Sequence, residues 1–92
     1  MTPAALEESV STGQQRLEIP GACVQLPKGE TLPPQAALTL RRELESGLAV
    51  DPDARRPNFY EASIEGHRYY FWVLPQKGRS RKVFLLACWQ QR

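Results

Sequence analysis

The sequence predicts an α+β domain: one main amphipathic helix packed on a small antiparallel sheet. Three observations predict it. Residues 59–90 alternate apolar and polar side chains in strand-length runs broken by turn signals. Residues 33–46 place apolar residues at helical spacing and are followed by Gly47. Residues 17–26 alternate as a strand, interrupted once by Pro20-Gly21.

Each element follows from its own residues. Ninety-two residues make one domain with one modest core. Thr2-Pro3 followed by Ala, Leu and Glu fits a short N-terminal helix with few apolar anchors. Residues 1–15 are therefore expected to be loosely ordered, and residues 16–92 to form the domain. Leu17, Ile19, Ala22, Val24 and Leu26 read as one edge strand with a bend at Pro20-Gly21, because proline has no N–H for a ladder. Pro33–Ser46 is the predicted helix, with Ala36, Ala37, Leu40, Leu44 and Leu48 on its apolar face. Asp51–Pro57 reads as a linker; its two aspartates lack the glycine and the distant glutamate of a calcium loop.

A three-stranded meander then closes the chain. Its first strand is Phe59–Ile64, and Glu65-Gly66 is a two-residue hairpin turn. That turn sets Phe59 opposite Trp72 and Glu61 opposite Tyr70. Arg68–Leu74, almost entirely aromatic and β-branched, has the composition of a central strand buried on both faces. The loop Gln76–Arg81 leads to a last strand, Lys82–Gln90.

The composition excludes several classes. No run of about eighteen apolar residues is present, so no membrane-spanning helix is expected. The acidic start Met1–Glu8 does not resemble a signal peptide, and a cytoplasmic location is the expectation. Cys23 and Cys88 form no CxxC pair and read as reduced thiols, with a disulfide between them left open. One histidine and two distant cysteines make no zinc pattern, and no phosphate-binding glycine motif occurs. Neither a metal nor a cofactor is expected.

The charge is unevenly placed. Residues 1–65 carry six Lys/Arg against ten Asp/Glu, a balance of −4. Residues 66–92 carry six Lys/Arg and no acid, a balance of +6. Lys77, Arg79, Arg81 and Lys82 crowd into six residues, with Arg68 and Arg92 expected on the same sheet and Tyr69, Tyr70, Trp72 and Trp89 interleaved. Cations neutralise phosphates and aromatic rings offer faces to unpaired bases, so this mixture points to RNA. It also suits metal-independent RNA cleavage, with Arg68 stabilising charge and Tyr70 or His67 moving protons. A Cys88–His67 nucleophilic pair on neighbouring strands is a further arrangement. A solvated hairpin tip that blunts a sheet edge explains the same cations without any ligand.

The stretches Phe59–Leu74 (FYEASIEGHRYYFWVL) and Lys82–Arg92 (KVFLLACWQQR) resemble the C-terminal meander of the RelE/ParE/HigB-like toxins. The shared pattern is an aromatic-plus-acid strand, a short turn, an arginine-then-aromatics strand, a basic loop and an apolar last strand. The resemblance implies a ribosome-dependent mRNA endonuclease or a gyrase-directed toxin, encoded on a mobile element and paired with an antitoxin. It assigns Arg68 to the family's strand arginine and Arg79, Arg81 and Lys82 to RNA contacts. The chain departs from the family in having one helix where the family has a pair of long ones. Its last strand also ends without the family's histidine, lysine or tyrosine. The alternative expectation is a small non-enzymatic phage- or plasmid-encoded inhibitor that docks on a host protein through its aromatic strands and the strand at 17–26.

Overall fold

The computed structural model describes residues 15–29, 31–75 and 81–91. The expected N-terminal helix lies outside them, as does the expected looseness of residues 1–15 except at Gln15. That residue opens the first strand and pairs with Val50. The elements run β1 (Gln15–Leu17), β2 (Cys23–Gln25), α1 (Pro34–Ser46), β3 (Leu48–Pro52), β4 (Phe59–Ile64), β5 (His67–Val73) and β6 (Lys82–Gln90). One helix packs on a six-stranded, mostly antiparallel sheet of order β1-β3-β4-β5-β6-β2. Among the described residues no helix is long and apolar enough to cross a membrane.

The meander has the expected register. Phe59 pairs with Trp72 and Glu61 with Tyr70. Glu65 and Gly66 both take positive φ, +51° and +82°, the signature of a type I′ hairpin turn. Between β5 and β6 the register shifts at Tyr70/Phe71, which leaves Leu86 as an extra residue. The bulge turns Cys88 to the helix side and Trp89 to the opposite side, beside Arg68.

Three expectations are corrected. The stretch 17–26 is not one edge strand: β1 pairs antiparallel with β3, and β2 pairs parallel with β6 at the opposite edge. Leu48 is not on the helix. Gly47, at φ +97°, ends α1, and its N–H donates to the Leu44 carbonyl at 3.3 Å. A strand, β3, therefore begins where a helix end and a linker were expected. Finally, β5 is central but buried on one face only. Tyr69, Phe71 and Val73 are buried while Arg68, Tyr70 and Trp72 are half-exposed, because the single helix covers one side.

The link between β1 and β2 fixes the shape of the sheet. From Leu17 to Cys23 the chain takes six Cα steps, at most about 21 Å when extended. A flat six-stranded sheet would hold its edges about 24 Å apart. The link also spends length on a turn closed by Ala22 N–H donating to the Ile19 carbonyl at 3.2 Å. The sheet must therefore curl, and it curls toward the helix side: Ile19 and Ala22 are buried with Leu40 and Leu44, and Ile19 N–H donates to the Leu44 carbonyl at 3.0 Å. The concave face packs Ala36, Leu40 and Leu44 of α1 against Val50, Ala62, Ile64, Tyr69, Phe71, Val83 and Leu85. No described element packs on the convex face.

Curling does not bring the cysteines together. Cys23 aligns with Lys82, and Cys88 lies six residues further along β6 on the other face, about 20 Å away. A disulfide needs Cα atoms within about 7 Å, and both thiols are free.

Candidate functional site

Alternation along the strands sends Phe59, Glu61 and Ser63, then Arg68, Tyr70 and Trp72, then Phe84, Ala87 and Trp89 to the convex face. Two neighbourhoods result, at opposite ends of the strands.

Near the Glu65-Gly66 hairpin, Arg68 uses all three of its guanidinium nitrogens. Its Nη2 donates to Asp51 Oδ2 at 2.8 Å and to Glu61 Oε1 at 2.6 Å. Its Nε donates to Glu61 Oε1 at 3.0 Å and its Nη1 to Ser63 Oγ at 2.8 Å. The Ser63 hydroxyl in turn donates to Gln91 Oε1 at 2.9 Å. Burial alone would lower the Arg68 pKa, but the bonds to Asp51 and Glu61 outweigh it, and the value sits above its ordinary one. Arg68 thus ties β3, β4 and β5 together, with three of its donors held by carboxylates and one by the Ser63 hydroxyl.

At the other end, a ladder of rings crosses the sheet. Phe59 stacks on Tyr70 (centroids 5.9 Å apart, 27° between planes) and on Trp72 (5.8 Å, 13°), and Trp72 stacks on Phe84 (5.2 Å, 22°). Rings stacked in this way cover one another's faces and turn their edges outward. Loop 53–58 folds over this end. Arg56 sets its guanidinium carbon 5.3 Å from the Phe59 ring centre, a cation–π contact. Arg55 and Arg56 are exposed here, as are Arg81 and Lys82 at the start of β6. Among the described residues none of these four cations forms an ion pair. Lys82 aligns with Cys23 two residues beyond the Phe84–Trp72–Phe59 row, and its side chain falls on the convex face. Between the loop and the strands lies a cleft of about 360 Å³, lined by Asp51, Asp53, Arg55, Glu61 and Tyr70.

The expected site residues therefore separate. Arg68 and Tyr70 share the convex face, but Arg68 lies some seven residues of β6 from Lys82, about 20 Å, too far to share one small patch with it. His67 points to the helix side. It is exposed at the hairpin, with Nδ1 3.4 Å from the Glu65 carbonyl, beside a groove of about 190 Å³ that Tyr69 and Cys88 also line. Burial pushes the Cys88 thiol pKa up, against activation as a thiolate. The Tyr70 hydroxyl donates to Asp53 Oδ2 at 2.7 Å. Its pKa is raised, by burial first and by Asp53 second, while that of Asp53 is lowered by the Arg55 N–H first and by Tyr70 second. The two values move apart, which suits a fixed hydrogen bond better than proton transfer near neutral pH. Lys77, Arg79 and Arg92 lie outside the described residues. Among the described residues no group of three or more His, Cys, Asp or Glu is arranged to hold a metal ion.

Arg55 and Arg56 were not foreseen as site residues, since Asp51–Pro57 reads as a linker. Their signal was the dibasic pair set directly before the Pro57-Asn58 turn into an aromatic strand. Compared with protein families, curated proteins and solved structures, the chain matches none.

Proposed function

We propose that this chain binds single-stranded RNA through the basic end of its convex sheet face, as a toxin-like domain that acts on mRNA or the translation machinery. The observation that carries the reading is that Arg55, Arg56, Arg81 and Lys82, all exposed and without ion pairs among the described residues, lie at the same end of the sheet as the Phe59–Trp72–Phe84 ladder, with Arg56 on the Phe59 ring. Four cations around an apolar ridge fit a flexible phosphate chain, with β4 and β6 about 10 Å apart. Because the rings cover one another, phosphate contacts lead the binding, and stacking is left to the outer face of Phe84. In this reading Arg68 is a structural tie.

The test is fluorescence anisotropy of a labelled single-stranded RNA across a salt series. Four phosphate contacts predict a slope of log K against log salt of roughly −3. The variant Arg55→Ala/Arg56→Ala/Arg81→Ala/Lys82→Ala should flatten that slope. Affinity indifferent to both salt and the variant would sink the RNA reading. Adding either protein to a cell-free translation reaction and mapping the message ends then asks whether bound mRNA is blocked or cut.

One observation favours a second reading, docking on a host protein as a small inhibitor. Trp89 is 44% exposed on the same face, and the ladder presents ring edges that pack well in a protein interface. Stoichiometric, salt-insensitive capture of one protein, lost in Trp89→Ala and kept in the four-cation variant, would select it.

A further inference from the structure

The loop that carries Arg55 and Arg56, residues 53–58, contains one anion, Asp53, and every polar group of that residue is engaged. Its Oδ1 accepts the Arg55 N–H at 2.9 Å and its Oδ2 accepts the Tyr70 hydroxyl at 2.7 Å. Its own N–H donates to the Phe59 carbonyl at 2.9 Å, and its carbonyl accepts the Arg56 N–H at 3.3 Å. The rest of the loop closes on the same frame. Phe59 N–H donates to the Arg56 carbonyl at 3.3 Å, and Val73 N–H donates to the carbonyl of Asn58, which sits at φ +71°. The two arginines of the rim therefore sit on a loop whose first turn is built by one carboxylate and anchored to β5 by one phenol.

We propose that Asp53 is a positioning residue for the basic rim: it clamps loop 53–58 to Tyr70 and holds Arg55 and Arg56 at the aromatic ladder. Its effect on binding rests on the RNA reading above; the clamp itself does not. The inference separates cleanly from simple electrostatics. An isolated anion inside a polyanion site weakens binding, so its removal by any substitution tightens binding. A clamp makes the outcome depend on hydrogen bonding instead. Asp53→Ala deletes both side-chain bonds and frees the arginines. Asp53→Asn removes the charge but keeps an acceptor for the Arg55 N–H, and its amide N–H can donate to the Tyr70 oxygen.

The experiment compares the full chain with Asp53→Ala, Asp53→Asn and Tyr70→Phe. Circular dichroism establishes that each variant folds, and Tyr70→Phe leaves the carboxylate in place should Asp53→Ala fail to fold. Two readouts are taken. In RNA anisotropy, Asp53→Ala should bind about fivefold weaker despite losing a negative charge, Tyr70→Phe about twofold weaker, and Asp53→Asn as well as the parent or about twofold tighter. In hydrogen exchange, the Arg55, Arg56 and Phe59 amides should lose protection in Asp53→Ala and Tyr70→Phe and keep it in Asp53→Asn. Tighter RNA binding by Asp53→Ala overturns the proposal, as does unchanged protection of those amides. If the parent chain binds no RNA, the RNA reading falls, and hydrogen exchange alone decides the clamp.

Discussion

The two faces of one sheet divide the labour in this molecule. The concave face buries Phe71, Leu85, Val83 and Val50 completely against Leu40 and Leu44 of the helix. The convex face, built from the alternate residues of the same strands, carries half-exposed aromatics and an arginine held by two carboxylates, and its rim holds cations without an ion pair among the described residues. Strand geometry forces the pairing of these faces, since neighbouring residues point opposite ways. What differs is cover: a single helix dries one face, and water remains on the other. Apolar contact therefore dominates stability on one side, while polar geometry dominates on the other.

The sharpest way to break this contrast is Phe71→Ala against Trp72→Ala. These neighbours on β5 face opposite sides. Phe71→Ala should cost about 3–5 kcal/mol in urea unfolding, because a fully buried ring leaves a cavity. Trp72→Ala should cost about 1–2 kcal/mol, since it loses stacking on a wet face. Equal costs would show that the convex face is as dry as the concave one. Next in size is the four-cation variant, which should lose about thirtyfold or more in RNA affinity at low salt with its melting temperature unchanged.

Arg68→Ala should then cost about 1–2 kcal/mol, and RNA affinity should change far less than in the rim variant. The cost stays moderate because Asp51 and Glu61, each with 38% of its side chain exposed, can rehydrate. A large affinity loss with a small stability change would instead move Arg68 into the binding site.

pH sharpens the picture of the loop. The Asp53 pKa is depressed in the folded state, so its contribution is present above about pH 4 and is lost as the pH falls through the lower folded value. The Tyr70 pKa is raised, so its contribution is present below about pH 10 and is lost as the pH rises through the higher folded value. After correction for the intrinsic pH dependence of exchange, amide protection of loop 53–58 should be flat between these limits and fall on both sides. The smallest effect is Glu65→Asn at the hairpin. Asparagine tolerates the positive φ of a type I′ turn better than glutamate does. The change should add some tenths of a kcal/mol although it removes the exposed contact of Glu65 with Arg42 at 3.6 Å.

Much of the fold was legible in the sequence because it is local. Glu65-Gly66 sets the register that pairs Phe59 with Trp72, and the i, i+4, i+8 spacing of Ala36, Leu40 and Leu44 marks the buried stripe of the helix. The misses are non-local or short. Leu48–Pro52 offers only three apolar residues before Asp51-Pro52, too few to show a period. The 17–26 stretch alternates correctly, yet nothing within it tells that its halves belong to opposite edges of the sheet. The candidate site was legible only as composition: Lys82 and Arg81 stood out by charge, while Arg55 and Arg56 were hidden in a segment without periodicity.

By itself the sequence determined the strands of the meander, the helix, the hairpin turn and the concentration of positive charge after residue 65. Steric preference and side-chain period act within a few residues, and those residues are adjacent in the chain. Only the tertiary structure decided which face of the sheet the helix covers, that Asp51 and Glu61 take up Arg68, and that loop 53–58 is held against β5. These outcomes depend on contacts between residues 7, 17 and more positions apart, as in the Arg68–Glu61 and Arg68–Asp51 bonds. Such pairings form only when β3, β4 and β5 lie side by side in one sheet.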